Sequence, residues 1–251
     1  MASELTPLVL LHGVGLDRSM WSEFHARARA LTSREIIALD LPGHGAEPDL
    51  ADPVTLAELA GDVARRLPGR VHLLGFSLGA LVSQHLARFR PELVASLTSV
   101  SSVCQRTPEE AAAVLSRLET GITDFPASVE ASLQRWYPAD CGVPDSVIDR
   151  TRKVLLSNDI DSYLHAYRVF TTGDAVIGPE LHRIETPALA LTGELDPGST
   201  PEMSRRLATA IPGCRLEIYA GVRHMLPVER AAELARSVTT FISESTGEPH
   251  A

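Results

Sequence analysis

Lysine is almost missing from this chain: Lys153 is the single one, and the other basic side chains outside histidine are arginines. That skew reads as compositional bias rather than as a functional signal. Cysteine is scarce too. Cys104, Cys141 and Cys214 show neither C-x-x-C nor metal-ligand spacing, which argues against a disulfide framework or a zinc site and leaves them as reduced packing residues. Basic charge is in deficit, with 23 Lys and Arg against 32 Asp and Glu and a formal net charge of −9. Nucleic acid and anionic membrane surfaces are therefore not expected partners, since both are bound by basic faces that displace counterions. No apolar run is long enough to span a membrane, and the opening MASELTPLVLLHG lacks the basic flank of a signal peptide, so cytoplasm is the default compartment. A dinucleotide fingerprint and a ligand cluster are also lacking, so neither metal nor organic cofactor is expected. The partner to look for is a small-molecule substrate, with a homo-oligomer left open.

What the chain does have is enough apolar content, 44% of 251 residues, for one sizeable core with a smaller insert. Short apolar runs bounded by Gly, Pro or polar residues recur at Leu8–Leu11, Ile36–Leu39, Val71–Leu74, Leu93–Val100, Ala188–Thr192 and Leu216–Tyr219. They read as strands, and helical patterns such as Leu56–Leu67 and Leu78–Phe89 lie between them. Strands apolar on both faces and alternating with helices predict an α/β fold, a mostly parallel sheet of about six strands covered by helices on both faces. The alternation stops between Gln105 and Asp174. There Thr107-Pro108-Glu109-Glu110 reads as a helix start, and further helices are expected over Ala127–Trp136, Asp145–Leu156 and Ile160–Phe170, with Pro138, Gly142, Pro144 and Gly173 as breaks. The expected division is a core of residues 1–104 and 175–251 with a helical cap at 105–174. Ser243–Ala251 reads as a frayed tail.

The strongest chemical signal is Gly75-Phe76-Ser77-Leu78-Gly79, a G-x-S-x-G that follows a strand and opens a helix. In that setting the serine sits on a sharp, strained turn, and the flanking glycines remove side chains that would collide with neighbouring backbone. The helix start also aims the Leu78 N–H at the reacting atom. A serine hydroxyl is a weak nucleophile at neutral pH, so a histidine base and an acid to orient it are required. His224, in Gly221-Val222-Arg223-His224-Met225 after the last strand, is the base expected. Asp196, in the loop after the Ala188–Thr192 strand, is preferred as the acid over nearby Glu194, which sits inside the turn.

With these residues the chain resembles the α/β-hydrolase superfamily over nearly its whole length, in the order Ser, acid, His. Leu11-His12-Gly13-Val14-Gly15 followed by Met20-Trp21 is similar to the superfamily's oxyanion loop. The resemblance implies that the Val14 N–H is the second oxyanion donor beside Leu78, with His12 structural and Trp21 a packing anchor. Asp40-Leu41-Pro42-Gly43-His44-Gly45 is similar to the superfamily turn after the following strand, and is read as structural. Two departures stand out. Seven residues before the first strand leave no room for the usual N-terminal hairpin, hence the expectation of six strands. Arg223 replaces the glycine usual before the catalytic histidine, and either binds a substrate carboxylate or points outward.

Within the superfamily the chain resembles the 3-oxoadipate enol-lactonase group at Leu133-Gln134-Arg135-Trp136-Tyr137-Pro138, from Leu156 through Tyr163 to Phe170, at Thr186-Pro187 leading into Gly193, and at Ala210-Ile211-Pro212-Gly213. That group tends to carry Asn-Ser where His12-Gly13 stands here. The resemblance implies a serine hydrolase acting on a small ester or lactone through an acyl-enzyme. Three alternatives share the fold: a carbon–carbon bond hydrolase, a lyase like that of the menaquinone pathway, which has an arginine where this chain has Ala80, and a non-catalytic ligand receptor. The cap is expected to carry specificity, with Trp136 lining the pocket or, nearly as well, packing in the core.

Overall fold

The computed structural model describes residues 5–247. It contains a sheet of six strands, β1 (Leu8–Leu11), β2 (Ile36–Leu39), β3 (Val71–Phe76), β4 (Val94–Val100), β5 (Ala188–Gly193) and β6 (Arg215–Tyr219), in the order β2-β1-β3-β4-β5-β6. Every pairing is parallel. β1, β3, β4 and β5 are buried along their whole length, whereas the two edge strands β2 and β6 are only partly so. This is the burial expected when both faces of a parallel sheet are covered and only its edges meet solvent. Helices α1 (Ser22–Ala28), α2 (Leu56–Arg66) and α3 (Leu78–Phe89) follow the first three strands. The six strands and their parallel arrangement agree with the sequence expectation.

Between β4 and β5 the chain leaves the sheet for four helices, α4 (Pro108–Thr123), α5 (Phe125–Trp136), α6 (Asp145–Leu156) and α7 (Ile160–Ile177). Thr107 caps α4 in a capping box: its hydroxyl accepts from the Glu110 N–H while the Glu110 carboxylate accepts from the Thr107 N–H, satisfying donors that a helix start leaves orphaned. Gly173, expected as a break, lies inside α7. A Cβ there would stand 2.9 Å from Leu81 Cδ1 on α3, so the glycine serves close helix contact and the helix runs on past residue 174. Polar contacts seat the insert on the core loops, among them Asn158 Nδ2 donating to the Gly15 carbonyl at 2.9 Å and Ser162 Oγ donating to the Gly43 carbonyl at 3.1 Å.

After β5 come α8 (Pro201–Ala210), β6, a short α9 (Leu226–Glu229) and α10 (Ala231–Thr246), which packs against α1. The tail expected to fray from Ser243 is helical through Thr246, and residues 248–251 lie outside those described. Among the described residues no helix is long and apolar enough to cross a membrane, and the three cysteines are unpaired. The register places the ends of β1, β3, β4, β5 and β6 side by side, with Leu11 opposite Gly75, Phe76 and Leu191 each opposite Val100, and Gly193 opposite Tyr219. The loops that follow them therefore emerge along one carboxyl edge, where open parallel sheets carry their sites.

Candidate active site

Ser77 directly follows β3 and has φ 54° and ψ −112°, a conformation that side-chain-bearing residues adopt at a cost of about 1–3 kcal/mol. Surrounding hydrogen bonds hold it there: the Ser77 N–H donates to the Val100 carbonyl at 2.9 Å and the Gly79 N–H to the His12 carbonyl at 3.1 Å. The turn is so tight that a Cβ on Gly75 would sit 2.2 Å from the Gly79 oxygen, and one on Gly79 2.4 Å from the Leu11 oxygen. No side chain fits at either position. As the first residue of α3, Leu78 has an N–H with no partner inside the helix, available to an anion at this end.

The second wall is the loop after β1. Its backbone is pressed against the serine, since a Cβ on Gly13 would lie 3.2 Å from Ser77 Cβ. His12 shapes this loop from below. Its Nδ1–H donates to the Gly13 carbonyl at 2.8 Å while Nε2 accepts from the Leu41 N–H at 2.9 Å, a pattern that only the neutral ring can make. Burial lowers its pKa from 6.5 to about 4, which keeps that ring neutral. The turn from Asp40 to Gly45 is tied in as well, with the Asp40 carboxylate accepting from the Arg18 and Ala46 N–H groups at 2.7 and 3.1 Å. Trp21 is buried edge-on to Phe24.

The loops after β5 and β6 bring an acid to a base. His224 Nδ1 lies 2.7 Å from Asp196 Oδ2. The other oxygen, Asp196 Oδ1, accepts from the Gly198 and Ser199 N–H groups, each at 2.9 Å, so the carboxylate is fully engaged as an acceptor. An imidazole that donates through Nδ1 has Nε2 free to accept a proton. Glu194, the rival acid, instead accepts from the Gly221 N–H at 2.9 Å. The His224 ring contacts two aromatics: Phe76, 4.9 Å away, and Trp136, stacked at 27° and 5.5 Å.

Ser77, Val14, Asp196, His224 and Trp136 line one cavity, roofed by α4, α5 and α7. Its free space is about 50 Å³, room for a few water molecules. A larger cavity of about 560 Å³, lined by Leu16, Met20, Val147 and Met225 among others, contains none of Ser77, Asp196 and His224. Arg223, read either as a substrate contact or as pointing outward, lies outside the wall around Ser77, and its guanidinium meets Asp140 of the insert at 3.2 Å. Its backbone N–H is held by the Glu229 carboxylate, 3.2 Å from each oxygen. The side chain preceding the histidine thus turns to the insert rather than into the cavity at Ser77. Among the described residues no group of three or more His, Cys, Asp or Glu is arranged to hold a metal ion.

Among the residues of the cavity wall that sequence reasoning missed are Arg117 on α4 and Arg135 on α5. Nothing in their local pattern separates them from the many arginines that face solvent on amphipathic helices.

Comparison with known proteins gives the arrangement its relatives. The chain is 31% identical over 243 residues to the (E)-2-((N-methylformamido)methylene)succinate hydrolase of Acinetobacter baylyi, covering 94% of this chain and 90% of that protein. It is 28% identical over 259 residues to a pimeloyl-[acyl-carrier protein] methyl ester esterase of Neisseria meningitidis, covering 99% and 80%. The crystal structure of the enol-lactonase from Burkholderia xenovorans superimposes with a TM-score of 0.85 at 26% identity, over 97% of this chain and 94% of that one. Residues 8–237 match the alpha/beta hydrolase family, and with its parallel six-stranded sheet and the helices around it, the chain belongs to that family.

Proposed function

We propose that this protein is a serine hydrolase that cleaves a small ester or lactone through an acyl-enzyme. The observation that carries the reading is the strained Ser77 facing the same cavity as a His224 ring already oriented by Asp196. Ser77 Oγ attacks the carbonyl carbon as its proton passes to His224 Nε2. Negative charge gathers on the carbonyl oxygen, which the N–H groups of Val14 and Leu78 receive. The intermediate collapses, and His224 returns the proton to the leaving oxygen. In an ester that oxygen departs with the alcohol; in a lactone it stays tethered to the acyl group. Water, deprotonated by His224, then frees the acid and restores the serine.

The relatives support ester and lactone chemistry in kind: one is a methyl ester esterase and another an enol-lactonase. The small free volume at Ser77 favours a compact acyl group. The test is turnover of a panel of small aryl esters and enol lactones by the wild type and by Ser77→Ala. The variant should lose roughly 10⁴–10⁶-fold in kcat while melting at the same temperature. Near-wild-type turnover in the variant would overturn the serine mechanism.

A further inference from the structure

Three arginines of the insert lie at or beside the hydrolytic cavity, Arg106, Arg117 and Arg135, and of these Arg106 alone has an acidic partner among the described residues. Arg106, just before α4, is buried with its guanidinium 2.6 Å from Asp174 Oδ1; it also donates to the Phe170 carbonyl at 3.2 Å and lies 4.8 Å over the Phe170 ring. Arg117 and Arg135 line the cavity that holds Ser77 and His224. Among the described residues neither has a carboxylate within 4.0 Å, and the hydrogen bond that Arg135 makes is to Ser132 Oγ at 2.8 Å. Elsewhere the pattern differs: the partly buried Arg66, Arg88 and Arg206 each have a carboxylate at 2.9 Å or less. The acid in the cavity wall, Asp196, is taken up by His224 and two backbone N–H groups.

Two guanidinium groups held near each other in a half-buried site without a counterion are costly, because desolvation and mutual repulsion act together. Burial first, and the charge of Arg117 second, push the Arg135 pKa down from its ordinary value. In a chain whose acids outnumber its bases by 32 to 23, such a pair is not a by-product of composition. The ligand chemistry that suits such a pair is a planar anion. The guanidinium fork matches a carboxylate with paired N–H donors, and that match strengthens where water is excluded.

We infer that Arg117 and Arg135 form a carboxylate-binding subsite inside the hydrolytic cavity, so that the substrate is an ester or lactone bearing a free carboxylate on its acyl part. The inference rests on the serine hydrolase reading for the reaction, but not for the binding. Recognition of the carboxylate is what sets this substrate class apart from neutral esters of the same size.

The experiment compares kcat/KM for the mono-4-nitrophenyl ester of succinic acid and for 4-nitrophenyl 4-methylpentanoate, which have similar shape and differ in charge. Wild type should favour the succinate ester by about 10-fold or more, and Arg117→Gln or Arg135→Gln should each lower that ratio by roughly 10-fold. Arg135→Lys, which keeps the charge but not the fork, should fall between. Arg168→Gln, on an exposed position of α7, should leave the ratio unchanged. A wild-type ratio of one or less, or a ratio untouched by both substitutions, overturns the subsite. If neither ester turns over, the hydrolase reading fails separately, and calorimetric titration of succinate into Ser77→Ala decides the subsite. Binding weakened about 10-fold by either arginine substitution supports it; absent binding, or binding indifferent to both, overturns it.

Discussion

Removing the Trp136 side chain should slow catalysis and cost less stability than truncating a core aromatic. The ring ends α5, is half-buried, lines the cavity and stacks on His224 at 5.5 Å and 27°. An aromatic pair of this kind contributes about 0.5–1.5 kcal/mol. When His224 takes the serine proton it becomes a cation over the indole face, and a desolvated cation–π contact adds about 0.5–2 kcal/mol. The second contribution exists only once the proton has moved, so it acts on kcat. That contribution predicts a loss of roughly 2-fold, and up to about 30-fold, in kcat for Trp136→Ala. The stability cost should stay near 1–2 kcal/mol, below the 3–5 kcal/mol of a fully buried aromatic truncated to alanine, because the ring is in part exposed. Urea melts and steady-state kinetics on the same preparation measure both quantities. Trp136→Phe should recover more of kcat than Trp136→Leu, since only the former keeps a π face. A loss of about 4 kcal/mol or more with unchanged kinetics, or equal kcat in the Phe and Leu variants, would refute the reasoning and make the ring a core residue.

Asp196→Asn should lower kcat by about 10⁴-fold, because an amide cannot hold His224 in the tautomer that leaves Nε2 as acceptor. Glu194→Gln should stay within a few-fold of wild type, its carboxylate being engaged with the Gly221 N–H rather than with His224; a larger loss there than at Asp196 would reverse the assignment. Stability should fall in acid through His12 and His44, whose pKa values burial lowers from 6.5 to about 4 and about 3. Between those values and 6.5 the unfolded chain binds protons that the folded one refuses. Stability is therefore fully present above about pH 6.5 and is lost as pH falls, by up to roughly 1.4 kcal/mol per pH unit for each histidine. Thermal melts across this range should show a steep acid limb that His44→Gln makes shallower, and a melting temperature constant from pH 7 to 5 would contradict it.

The strands, the helix starts and the sharp turn at Ser77 were legible because each depends on neighbours within a few residues. An apolar run between breakers makes β3, Thr107 with Glu110 makes the start of α4, and Gly75 and Gly79 admit the backbone contacts around Ser77. The order Ser77, Asp196, His224 could also be read along the chain. The strand order that brings the loops after β1, β3, β5 and β6 to one edge was not written locally, since it depends on pairings between distant segments. The same holds for single side chains. Gly173 looked like a break, and only the approach of Leu81 from α3 explains it as a contact inside α7. Arg223 stood next to the histidine in sequence yet turns to Asp140, whereas Arg117 and Arg135, with nothing local to mark them, reach the cavity. Periodicity and turn chemistry are set by local backbone sterics, which sequence records directly. The direction of a long charged side chain is set by whatever packs across from it, and only the tertiary structure decides that.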